Sequence, residues 1–98
     1  MTIEMKKTDV ETVIEVAGRL DTSTAPVLDK TISEDISEST ALILDLKELT
    51  YISSAGLRVL LSAQKRMQKR GSMKLKNVCE EVMDVFEMTG FADILEIE

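Results

Sequence analysis

Ala41-Leu42-Ile43-Leu44-Asp45-Leu46 is the most apolar run in the chain, with no polar residue before Asp45. A strand with one wet face alternates polar and apolar side chains, so a run without alternation predicts a central strand covered on both faces. Tyr51-Ile52-Ser53-Ser54-Ala55-Gly56-Leu57 follows. Two hydroxyls, a small residue and a glycine therefore stand where the buried strand is expected to hand over to a helix. A helix N-terminus carries unpaired N–H groups and a partial positive charge. A serine at such a junction either caps the helix or accepts a phosphate that the helix end tolerates.

The flanking segments fit an α/β plan. Val10, Thr12, Ile14 and Val16 alternate with Glu11, Val13 and Glu15 as in a strand, and Ile3 to Lys6 can pair with it through the turn Lys7-Thr8-Asp9. Gly18 is expected to end that strand. Leu20-Asp21-Thr22-Ser23-Thr24-Ala25-Pro26 then reads as a loop entering a helix, with Ser23 or Thr24 as N-cap and Pro26 in the first turn. Leu28, Ile32 and Ile36 mark the buried face of this helix, and Ser37-Glu38-Ser39-Thr40 breaks the pattern.

After the serine junction, Leu57, Leu60, Leu61 and Met67 fall at helical spacing with Ala63 beside them. Lys65, Arg66, Lys69 and Arg70 crowd the C-terminal end, where cations complement the helix dipole, and Gly71 supplies a stop. Met73 to Leu75 predicts a short strand. Glu80 and Glu81 open another helix, lined by Val82, Val85 and Phe86 and closed by Gly90. Ile94-Leu95-Glu96-Ile97 fits either a last short strand or a helical turn. The expected order is β-β-α-β-α-β-α with that optional strand. It describes one α/β layer with a mixed sheet, antiparallel in the opening hairpin and parallel where helices cross over.

With 98 residues the chain supports one domain around one core, expected to span residues 1–98. A formal charge of −6 argues against nucleic acid as a partner, because phosphate backbones are held mainly by surplus Lys and Arg. The longest apolar stretch is too short to enter a bilayer as a span, and Met1-Thr2-Ile3-Glu4-Met5-Lys6-Lys7 is unlike a secretion signal. Cys79 has no second cysteine to pair with, which fits a reducing cytoplasm. It reads as a small, partly buried side chain near a helix start. The chain has no histidine, so a Ser-His-Asp triad, a Cys-His pair and His-containing zinc sites are absent, and no catalytic residue, metal ligand or cofactor site is expected.

Ser53 and Ser54 lack the surroundings of nucleophiles. Gly-x-Ser-x-Gly does not occur around them and no base is at hand, while a phosphate-binding loop would end in Gly-Lys-Ser/Thr. Two hydroxyls in series allow one to cap while the other projects, at the carboxyl edge of the sheet where open α/β folds bind their ligands. Asp45 ends a central strand as the aspartate of a response-regulator receiver does. The early acidic pair and late lysine of those domains are missing here, so Asp45 reads as a strand-end residue. Asp21 either forms a turn or takes part in a site, and the second requires its loop to lie beside Ser53 and Ser54. The Lys65–Arg70 cluster is a solvated helix end or a partner contact.

Gly18-Arg19-Leu20-Asp21 before a Pro-containing helix, then Leu42-Ile43-Leu44-Asp45-Leu46, then Tyr51 to Leu57, and finally Val85-Phe86-Glu87-Met88-Thr89-Gly90 together resemble the STAS domain of bacterial anti-sigma-factor antagonists. The resemblance runs over nearly the whole chain. It implies a mixed sheet with an N-terminal hairpin and helices packed mainly on one side. It also implies a non-enzymatic cytoplasmic protein that binds an anti-sigma factor, itself a serine kinase, and so frees a sigma factor. Phosphorylation of a serine at a helix start would block that binding and a serine phosphatase would restore it. Aligned on Gly56-Leu57, the family motif puts the modified position at Ser54, with Ser53 where an Asp usually stands and as the alternate acceptor, and Ala55 in place of a second hydroxyl. The implied contact residues are Asp21, Thr22, Ser53, Ser54, Ala55, Gly56, Leu57 and Arg58. The same fold would also serve a STAS module of another assembly, such as a lipid-transporter accessory subunit or a stress-signalling scaffold.

Overall fold

The computed structural model describes residues 1–8, 10–35 and 40–98. Asp9 of the expected turn, Ile36 of the first helix and Ser37 to Ser39 lie outside them. Strand β1 (Thr2–Lys7) pairs antiparallel with β2 (Glu11–Leu20), giving the expected hairpin. Helix α1 (Ala25–Asp35) leads to β3 (Ala41–Asp45), parallel to β2. A separate strand β4 (Leu49–Ile52) precedes α2 (Ser54–Gln68). Then come β5 (Ser72–Lys76), parallel to β3, and α3 (Glu80–Thr89). A 3-10 turn over Phe91–Asp93 and a single parallel bridge from Leu75 to Ile97 close the described chain. The 3-10 turn lies ahead of Ile94 to Ile97, so of the two readings of that segment the strand is realised in part, as the one bridge at Ile97.

The strand order is β1-β2-β3-β5, with β4 pairing the far end of β2. One face of this sheet is dry. Ile14, Val16, Leu20, Leu42, Leu44, Met73 and Leu75 are buried on it, against Leu28 and Ile32 of α1, Leu57, Leu60, Ala63 and Met67 of α2, and Val82 and Phe86 of α3. Leu61 and Val85 are only half-buried at the rims of their helices.

The opposite face overturns the expectation for β3. Ala41, Ile43 and Asp45 are half-buried, beside Val13, Glu15 and Lys74 of neighbouring strands. The strand is central in the order but carries helices on one face only. Two aliphatic neighbours, Val13 and Ile43, sit side by side in register and shelter each other, which lets an apolar run persist on a partly wet face.

Three further expectations change. Val10 precedes β2 and is 59% exposed, so it does not belong to the buried row. Gly18 does not end β2. With φ at +95° it forms an irregularity from which the strand continues to Leu20, in the conformation that glycine adopts without strain. Gly71 does not stop α2, which closes on Lys69 in an ordinary right-handed conformation. A side chain at position 71 would put its first carbon 1.7 Å from the Thr40 carbonyl oxygen. Glycine is needed there because the chain passes flat over Thr40 as β5 joins β3, where the Ser72 N–H donates to the same carbonyl at 3.0 Å.

Candidate functional site

The strand handing over to α2 is β4, not β3. Leu49-Thr50-Tyr51-Ile52 buries its two end residues and exposes the two between them. Gly18 pairs with Leu49, Arg19 with Tyr51 and Leu20 with Ile52. This register brings two loops together at the carboxyl ends of parallel strands. The Ser53 N–H donates to the Leu20 carbonyl at 2.9 Å, and the Thr50 hydroxyl donates to the Gly18 carbonyl at 3.1 Å. Asp21 thus leaves β2 beside the point where Ser53 leaves β4, as a shared site requires.

Ser53 caps the helix and Ser54 projects from it. Ser53 is the N-cap, extended at φ −97° and ψ 176°, and its hydroxyl oxygen accepts from the Gly56 N–H at 3.3 Å. Ser54 is the first helical residue. It is exposed, and its hydroxyl makes no hydrogen bond among the described residues. Gly56 is buried behind them, and a side chain there would come within 2.8 Å of Ile52 Cγ1 and Leu20 Cγ. The glycine lets the first turn of α2 settle onto β2 and β4. Leu57 is buried with it, Ala55 is half-buried, and Arg58 is exposed one turn into the helix. Of the eight residues implied for partner contact, Thr22, Ser54 and Arg58 are exposed, while Gly56 and Leu57 shape the site from behind.

Asp21 organises the opposite loop. Its Oδ1 accepts from the Ser23 N–H at 3.0 Å, the Ser23 hydroxyl at 2.7 Å and the Thr24 N–H at 3.1 Å. The Ser23 hydroxyl bond, then the Thr24 N–H, hold the carboxyl below its ordinary pKa against a smaller opposing effect of desolvation. Thr24 precedes α1, but its hydroxyl reaches backward, accepting from the Asp21 N–H at 2.8 Å and donating to the Arg19 carbonyl at 2.8 Å. Asp21 is therefore an ionised loop clamp at neutral pH with its backbone pinned from both sides.

Arg19 and Tyr51, which the sequence reading left out, flank this site. The guanidinium lies 4.0 Å from the centre of the Tyr51 ring, a cation–π pair across β2 and β4. No periodic signal in Leu49-Thr50-Tyr51-Ile52 points to the pair, because its burial does not alternate and the partners meet only through the register of β2 with β4.

Asp45, Arg66 and Cys79 each make contacts within the fold. Asp45 accepts from the Lys47 N–H at 3.0 Å and from Asn77 Nδ2 at 3.1 Å, tying two loops together. Burial raises its pKa, but the Asn77 and Lys47 hydrogen bonds and the charges of Lys47 and Lys76 bring it net below the ordinary value. Arg66 of the basic cluster pairs with Asp29 at 3.9 Å and donates to Ser33, both on α1. Cys79 stands half-buried before α3 and donates to the Leu49 carbonyl at 3.3 Å. Among the described residues no helix is long and apolar enough to cross a membrane, and no group of three or more acidic or thiol side chains could hold a metal.

Sequence comparison matches residues 2–98 to the STAS domain model. The chain belongs to the STAS family. It is 31% identical over 96 residues to an anti-sigma-B factor antagonist of Bacillus subtilis, covering 97% of this chain and 88% of that one. An anti-sigma-B factor antagonist of Listeria monocytogenes is 35% identical over 101 residues, covering 100% and 89%. Among solved structures, the anti-sigma factor antagonist SpoIIAA superposes in its unphosphorylated form with a TM-score of 0.85, at 22% identity over 99% of this chain and 88% of that one. The phosphorylated form of the Bacillus cell fate determinant SpoIIAA superposes with a TM-score of 0.77, at 21% identity over 99% and 91%. At these identities the two solved structures speak for the STAS fold.

Proposed function

We propose that this STAS domain is an anti-sigma-factor antagonist, and that Ser54 is the residue on which it is switched. One observation carries the reading. Ser53 uses its hydroxyl to cap α2, which leaves the Ser54 hydroxyl exposed and without a partner among the described residues, beside the Asp21 loop. Two relatives that share about a third of their residues with this chain are named antagonists of anti-sigma-B factor, and SpoIIAA, of the same fold, is known in a phosphorylated form.

In this reading the domain, residues 2–98, acts in the cytoplasm as a binding protein rather than an enzyme. Unmodified, it presents the first turn of α2, Asp21 and Thr22 to an anti-sigma factor that is also a serine kinase. The sigma factor is released as the anti-sigma factor is taken up. The kinase then transfers a phosphoryl group to Ser54, and a serine phosphatase removes it. The phosphate adds about −1.5 to −2 charges at a helix N-terminus whose partial positive charge accepts them, so the fold persists. Binding fails instead at the surface, where a bulky dianion must be desolvated against the partner.

The test is direct. The anti-sigma-factor kinases of the same genome are incubated with this protein and ATP, and intact mass is recorded. Wild type and Ser53→Ala are expected to gain one phosphoryl group, and Ser54→Ala none. Phosphorylation of Ser54→Ala would move the modification elsewhere. No binding to any such kinase would shift the reading to a STAS module of another assembly.

A further inference from the structure

We infer that Arg58 is the intramolecular partner of a phosphate on Ser54, so that phosphorylation removes a cation from the docking surface as well as adding an anion. The inference rests on Ser54 as the modified residue and goes beyond it in assigning what receives the charge. Ser54 and Arg58 are the first and fifth residues of α2. Residues four apart on a helix lie on one face with their Cβ atoms about 5–6 Å from each other. Helical side chains lean toward the N-terminus, so a long side chain at position 58 covers the turn that Ser54 begins. The order also favours pairing, because an anion four residues before a cation runs against the helix dipole and is stabilised by it.

Among the described residues nothing competes for Arg58. It is exposed and makes no ion pair or hydrogen bond among the described residues. Helix α2, Ser-Ala-Gly-Leu-Arg-Val-Leu-Leu-Ser-Ala-Gln-Lys-Arg-Met-Gln, contains no acidic residue at all. Arg66, in contrast, is already held by Asp29 and Ser33 of α1. A guanidinium can grip two phosphate oxygens at once, which a lysine at this position could not. Unmodified, Arg58 is available to an acidic group on the partner; once Ser54 is phosphorylated, the guanidinium turns to the phosphate one turn back. The switch therefore acts twice on the same helical face.

The experiment installs phosphoserine at position 54 during synthesis, by genetic encoding, and needs no kinase. The second ionisation of the phosphate is followed by phosphorus NMR in the otherwise wild-type protein and in Arg58→Gln. The helix N-terminus and Asp21 act on the phosphate equally in both, so their difference isolates Arg58. We expect the wild-type phosphate to titrate about 0.15–0.4 pH units lower than in Arg58→Gln, the size of an exposed four-residue charge pair. The Arg58 Nε–H resonance of the wild type should shift with the same midpoint. Equal midpoints in the two proteins, or an Arg58 signal indifferent to the titration, would overturn the inference. That failure would leave Ser54 standing as a phosphorylation site, whereas a kinase that ignores Ser54 would overturn the functional reading and leave the NMR result unaffected.

Discussion

At the scale of single residues, two adjacent serines do different work because one precedes the helix and the other begins it. The capping hydroxyl of Ser53 satisfies the Gly56 N–H, one of the four donors that a helix start leaves open. Ser53→Ala is expected to lower stability by about 1 kcal/mol, the usual cost of a lost cap, with Ser54 still phosphorylated; chemical denaturation and intact mass together check this. An unchanged stability would mean that the 3.3 Å contact contributes little. The sequence placed both serines at the helix start and left their assignment open. Only backbone geometry separates them, since cap and first turn differ in dihedral angles rather than in residue type. For Asp21 the turn-forming reading holds, and its loop adjoins the serines as a role in the proposed site requires.

At the scale of elements, the fold depends on close backbone approaches that only glycine permits. Gly71 lies against the Thr40 carbonyl where β5 joins β3. Gly71→Ala must push that backbone aside, and we expect a loss on the order of 3 kcal/mol, read as a lower denaturation midpoint with an unchanged denaturant slope. A midpoint equal to wild type would show that the Thr40 segment yields easily. The helices and the hairpin were legible because their apolar periodicity is strong. Strand β4 was not. Its four residues are too few to establish a period, and the run Ala41 to Leu46 before it looked sufficient to feed the helix. The half-open face of β3 was hidden for a related reason, because a strand of aliphatic residues does not announce which face is covered.

At the scale of the whole molecule, the proposed site gathers at one end of the sheet. Parallel strands β2 and β4 deliver Asp21 and Ser53 side by side, and α2 begins where they end. The proposed switch then needs few structural rearrangements, because charge and bulk added at the first turn of α2 would act directly on the proposed docking surface. The resemblance carried by the dispersed motifs reached the family and supplied the proposal for Ser54, whereas residue chemistry alone reached only a helix cap. Arg19 and Tyr51 escaped both routes, since their pairing exists only in the register of β2 with β4. The most direct measurement is calorimetric titration of an anti-sigma-factor kinase from the same genome with this protein, unmodified and with phosphoserine at position 54. Binding by the unmodified form, weakened at least about a hundredfold by the phosphate, is the predicted result, a difference of about 3 kcal/mol. Equal affinity of the two forms would contradict it.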